Sequence, residues 1–221
     1  MATFKLSGVA GMNKEVHALL YAVPPEADYA VDATDRDAQD IPQSRIEGVL
    51  ELLACDDEAI KLSAARLLTS WGYREGLVYL TEVLSSPHQV EGLEVHRLHG
   101  YDDTFKLALS ALVGYFTRLS DRGAGEAARA EIVEPIKKII ELSNSRPFEI
   151  SGFFWLVEDK KFFEYVPALR EHLCLIAQAP SVHRWKIYDV LNLLLKVDHE
   201  FASAFLQKAH KTLDDFKLSG K

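Results

Sequence analysis

The chain has 221 residues, 48% of them hydrophobic, and its 25 basic against 33 acidic side chains leave a net charge of −8. That apolar content excludes the disordered class, and the length fits one large body at the usual ~150 residues per domain. The acid surplus disfavours a general nucleic-acid or anionic-membrane surface, because neutralising phosphates takes an excess of Lys and Arg.

Residues 1–41 read as an N-terminal helical cap followed by an acidic linker. A short apolar run from Val16 to Val23 ends at Pro24 and Pro25, and Glu26, Asp28, Asp32, Asp35, Asp37 and Asp40 follow against the single base Arg36. Such a stretch is expected to be solvated, since it has little apolar surface to bury. Its functional alternative is an acidic docking strip.

From residue 42 the pattern turns helical. Ile46, Val49, Leu50 and Leu53 fall at offsets 0, 3, 4 and 7 and share one helix face. Asp56 and Asp57 open the next helix, where a carboxylate accepts from first-turn amides and favours the positive end of the helix dipole. Ser63, Ala64 and Ala65 are small enough for another helix to approach closely. Asp102 and Asp103 open a similar segment, with Lys106, Leu107, Leu112 and Val113 each 45 positions after Lys61, Leu62, Leu67 and Leu68. This is an internal repeat.

A second kind of helix carries apolar residues at offsets 0, 3 and 7: Leu77, Leu80, Leu84; Val133, Ile136, Ile140; Val166, Leu169, Leu173; and, more weakly, Ala202, Phe205, Ala209. Pro135 and Pro167 are expected in first turns, where the missing amide costs nothing. Helices near Phe153 to Val157 and Trp185 to Leu195 supply the first members of the later pairs. No run alternates with period two, so the fold class is all-α.

Over residues 42–212 these features resemble the HEAT-like helical repeats of the armadillo-type superhelix group. The resemblance rests on Asp56 and Asp57, Ala64 and Ala65, Leu68, the turn glycines Gly72 and Gly76, and the Leu77, Leu80, Leu84 pattern. It implies an α-solenoid of about four antiparallel helix pairs over residues 42–221, each pair completing its neighbour's core. It also implies that second helices line a concave binding face, which makes Tyr79, Glu82, Glu134, Lys137, Lys138 and Arg170 candidate contacts. Tyr79 carries the most weight, because exposed aromatics dominate interface energy.

Residues 85–103 form a long connection for a helical bundle, and long loops on rigid scaffolds often carry function. Glu91, Glu94, His96 and His99 are its candidate partner contacts. His96 and His99 at helical spacing, with Glu94 or Asp103, are also a conceivable metal set, but no ligand motif of known spacing is matched. No phosphate-cradling glycine loop, CxxC or HExxH occurs. Cys55 and Cys174 lie in apolar runs and read as buried, inert thiols of a reducing compartment. With no signal-peptide pattern in residues 1–11 and no run long enough to span a bilayer, cytoplasm is expected.

The functional expectation is therefore a non-catalytic protein-binding solenoid, an adaptor or an immunity-type inhibitor. Its partner is another protein, a basic one among the candidates, with no cofactor, metal, nucleic acid or membrane. The alternative is an enzyme resembling the HEAT-like alkylpurine DNA glycosylases, for which Trp155 with Glu158 or Asp159, and Trp185 with Asp189, are the available pairs, or one resembling the HEAT-like bilin lyases, to which no residue points.

Overall fold

The computed structural model describes residues 13–94 and 101–217. It is all-α, 71% helical, with no strand among the described residues, which excludes sheet-based architectures and is compatible with a helical repeat protein. Among the described residues the ten helices are α1 (Lys14–Tyr21), α2 (Gln43–Leu52), α3 (Glu58–Ser70), α4 (Arg74–Ser85), α5 (Thr104–Asp121), α6 (Gly125–Ser143), α7 (Phe154–Glu158), α8 (Val166–Ile176), α9 (Pro180–Val197) and α10 (His199–Ala209).

The α3 start behaves as its sequence dictates: the Asp57 carboxylate accepts from the amides of Ala59 (2.9 Å) and Ile60 (3.1 Å). Its end is a glycine-closed turn. Gly72 takes φ +85°, its amide donates to the Thr69 carbonyl at 2.9 Å, and the Tyr73 amide donates to Leu68 at 2.9 Å. The same bond pair closes α5, where Gly123 at φ +78° donates to Ser120 (2.9 Å) and Ala124 donates to Leu119 (2.8 Å). Two helix pairs, α3 with α4 and α5 with α6, thus turn on one device. The sequence repeat hid this match because α5 has 18 residues and α3 has 13, so starts and ends cannot both align.

Packing follows chain order. α3 lies on α4 and α5, α5 on α6, α4 on α6, α6 on α8, α8 on α9, and α9 on α7 and α10. α3 is buried on two sides: Leu62 and Ala65 enter the larger core that runs on to α10, while Ile60, Ala64, Leu67 and Leu68 close a smaller one with Val16, Leu20 and Trp71. At the α3–α4 crossing, a methyl group on Gly76 would lie 2.5 Å from the Ala65 carbonyl oxygen and 2.7 Å from Thr69. Only glycine fits there.

The apolar stripes on α4, α6 and α8 are buried, apart from half-buried Val133. On α10 the stripe gives out: Ala202 is buried, Phe205 half-buried and Ala209 exposed. Pro135 corrects the expected helix start, for α6 begins at Gly125 and encloses the proline, whereas Pro167 does sit in the first turn of α8. Burial of Ala128, Ile132 and Ile136 along one face holds α6 together past the missing amide.

The acidic stretch is docked rather than solvated throughout. Ala27, Ala33 and Ile41 are buried, the Trp71 indole donates to the Ala33 carbonyl at 2.8 Å, and Arg118 on α5 donates to the Asp37 carboxylate and to the Asp35 and Arg36 carbonyls. Its backbone carbonyls and the Asp37 carboxylate supply the acceptors, an arrangement that net charge along the sequence cannot reveal. Cys174 likewise departs from expectation: it is exposed, one position past the inward Leu173, and Cys55 is half-buried. Among the described residues no helix is long and apolar enough to cross a membrane.

Candidate functional site

The side-by-side packing of α4 and α6 puts Tyr79, Glu82, Glu134 and Lys138 on adjacent helices. Tyr79 is half-buried against the larger core, and its hydroxyl donates to Glu58 on α3 at 2.8 Å. Burial, and then the hydrogen bond to Glu58, push that hydroxyl up from its ordinary value, so it stays a donor. Glu58 in turn is held below the usual carboxylate range, chiefly by the Lys61 ammonium 2.6 Å away. Glu82 is exposed. Glu134 pairs with Lys137 (2.9 Å) and Lys138 with Glu141 (2.8 Å), one helical turn apart. Exposed pairs of this kind contribute ~0–1 kcal/mol, so they exchange readily for contacts with a partner. Arg170 on α8 is committed instead to Asp198 and to the ring of Phe201.

Of the 85–103 candidates, Glu91 and Glu94 hold ion pairs within the fold. Glu91 accepts from Arg146 at 2.9 and 3.3 Å, and Glu94 from Arg66 at 2.7 Å, which ties the segment to α3 and to the end of α6. Asp102 accepts from the amides of Gly92 and Thr104, and Val90 is fully buried beneath. Both arginine partners lie far off in sequence, so spacing gave no sign of them. His96 and His99 lie outside the described residues. Among those described, no three His, Cys, Asp or Glu side chains converge as a metal set.

Of the tryptophan pairs, Trp155 and Glu158 are both engaged within the fold. Trp155 packs against Phe116 with ring centroids 6.3 Å apart, and Glu158 accepts from Lys196 at 2.9 and 3.0 Å. Burial raises the Asp189 carboxyl, with a smaller push from Glu149.

Sequence reasoning passed over a buried basic cluster. Lys186, His172 and His183 are 1%, 1% and 7% exposed. The Lys186 ammonium donates to the carbonyls of Ser143 and Arg146, where α6 leaves its last acceptors open. His172 Nδ1 contacts the Asn144 side-chain oxygen and, at 3.4 Å, the Ser143 hydroxyl, while its Nε2 and His183 Nδ1 have no partner among the described residues. Burial, then the Lys186 charge, hold the His172 imidazole down to about 3, and burial alone holds Lys186 down to about 8. The visible signal was a lysine inside the apolar run from Trp185 to Leu195.

A cavity of about 890 Å³ opens between α1, the docked acidic stretch and α2. Ala18, Leu19, Ala22 and Ala27 give it apolar walls, and Arg36 and Arg45 border it. Arg45 donates to the Leu19 and Ala22 carbonyls at the end of α1 and lies 5.4 Å from the Trp71 ring centre. Burial, then the Arg36 charge, lower the Arg45 guanidinium to about 10.

Compared with protein-family models, with curated proteins and with solved structures, the chain matches none.

Proposed function

We propose that the chain is a non-catalytic protein-binding module, a HEAT-like α-solenoid whose second helices α4, α6 and α8 offer the contact face, acting as an adaptor or antagonist in the cytoplasm. What carries the reading is the order of packing: α4 lies on α6 and α6 on α8, so the helices bearing Tyr79, Glu82, Glu134 and Lys138 form one continuous layer. The shared glycine turn of the first two helix pairs supports the repeat, and a net charge of −8 suits a partner with a basic surface. The weak ion pairs on α6 leave its charges free to be re-paired.

The test is capture from the native host with identification by mass spectrometry, followed by calorimetry with the purified partner. Glu82→Lys with Glu134→Lys is expected to weaken that partner by about tenfold or more, ~1.4 kcal/mol, with an unchanged melting temperature. Unchanged affinity in the double variant would sink the assignment of this face, and salt-sensitive binding of duplex DNA would sink the module reading.

A further inference from the structure

We propose that the cavity between α1, residues 24–42 and α2 is a binding site for a carboxylate carried on an apolar body. None of its lining residues lies on α4, α6 or α8, so this site is separate from the face proposed above.

The first observation is an uncompensated pair of cations. Arg36 is 4% exposed, and its guanidinium reaches one acceptor, the Asp40 backbone carbonyl. Arg45 spends two of its nitrogens on the end of α1. Arg36 Nε and Arg45 Nη2 are closed to water and have no acceptor among the described residues. Neither guanidinium forms an ion pair among the described residues, and a buried unpaired charge is costly. Glu15, Glu26 and Asp40 also line the cavity, yet none is within ion-pair reach of either arginine, and Asp40 accepts instead from the Tyr29 hydroxyl at 2.7 Å. The pair lacks a close counter-charge; Arg36 Nε and Arg45 Nη2, closed to water, face protein, and other atoms of the two side chains border the cavity.

The second observation is the shape and chemistry of the rest. A volume of about 890 Å³ is in the range of small-molecule sites, ~300–1,000 Å³. Walls of alanine, leucine and proline select against a bare, strongly hydrated phosphate and favour a ligand whose apolar part displaces water while its anionic end meets the guanidinia. Two sources share that chemistry: a free aliphatic or aromatic acid, and the C-terminal carboxylate of a peptide.

Calorimetry on the full chain tests this with octanoate against octanamide, and with an acetylated Phe-Leu dipeptide against its amide. Each acid is expected to bind at least about tenfold more tightly than its amide, with affinity falling as salt rises. The tighter of the two acids identifies the source. Ala18→Phe fills the apolar wall from an exposed position of α1, and Arg36→Met removes one charge; each is expected to cost about tenfold or more. If Arg36→Met does not fold, Ala18→Phe with an unchanged melting curve carries the test. Equal binding of acids and amides, or no saturable binding of either acid to the wild-type chain at millimolar concentration, would overturn the proposal.

Discussion

The Lys186 ammonium on α9 donates to the carbonyl of Ser143, the last residue of α6 and 43 positions earlier in the chain. A second donation, to Arg146 at 2.6 Å, makes this buried side chain the cap that α6 lacks in its own sequence. Two opposing costs meet there. Removing the lysine leaves two carbonyls without donors, at ~1–3 kcal/mol each, while keeping it charged in an apolar setting is also unfavourable.

The balance has a pH signature. Because burial holds Lys186 down to about 8 when folded, against ~10.4 unfolded, the unfolded chain binds more protons between those values. Stability from this group therefore rises as pH goes from 8 to 10.5, by roughly 3 kcal/mol in all. The neutral amine keeps two N–H donors, enough for both carbonyls. Urea titrations of wild type and Lys186→Met are expected to show the variant less stable by about 1–3 kcal/mol at pH 8, with the gap widening toward pH 10. A gap that closes with rising pH would contradict this account.

His172 gives the mirror case on the acid side. Its imidazole, held down to about 3, stays neutral in the fold while the unfolded chain takes up a proton near 6.5. The unfolded state binds more protons between 6.5 and 3, so the contribution is present above 6.5 and is lost as pH falls, by up to about 5 kcal/mol at pH 3. Carboxylates titrate in the same range, so the informative quantity is the difference from His172→Gln, whose acid sensitivity is expected to be smaller. Directly, the His172 ring protons should show no titration down to pH 5, and a midpoint at 6 or above would refute the assignment.

The α3–α4 crossing yields a stability contrast. Gly76→Ala places a methyl group 2.5 Å from backbone at Ala65, and neither helix can retreat without opening the buried Leu77 and Leu80 contacts. The expected loss is ~1–3 kcal/mol or more, as for overpacked cores. Gly152→Ala, with nothing within 4 Å of the added carbon, is expected to change stability by less than ~0.5 kcal/mol. Equal effects in thermal melts would mean that the crossing is looser than described.

What the sequence made legible followed from local periodicity. The 0, 3, 7 stripes on α4, α6 and α8 and the Asp57 cap each depend on residues within two turns of one another, and each is found in place. Pro135 and Cys174 depart from expectation within their own helices; the other losses involve distant partners. Arg118 reaching Asp37 across 81 positions, Arg66 reaching Glu94 across 28 and Lys186 reaching Ser143 across 43 are set by how helices stack, which no offset within one helix encodes. The same limit hid the cavity, whose arginines belong to the acidic stretch and to α2 and meet only when that stretch docks.

The final prediction separates fastening from recognition among the acidic candidates. Glu94 meets Arg66 at 2.7 Å with the arginine side chain only 16% exposed, and Arg66 Nε already has no acceptor, so Glu94→Ala leaves a shielded guanidinium without its counter-charge. A loss of ~1–2 kcal/mol is expected, above the usual value for a solvent-exposed pair. The amides of Glu94, Asp103 and Thr104, bonded within the same turn, should then exchange hydrogen faster than in the wild type. Among the described residues Glu82→Ala breaks no bond and Glu134→Ala only an exposed one-turn pair, so both should melt within ~0.5 kcal/mol of the wild type. Against a captured partner the pattern should invert, with Glu82 and Glu134 variants losing affinity in proportion to their direct contacts. Glu94→Ala should lose affinity only where its destabilised segment is itself part of the interface. A melting temperature unmoved by Glu94→Ala, with amide exchange unchanged, would show that the Arg66 pair does not hold the segment in solution.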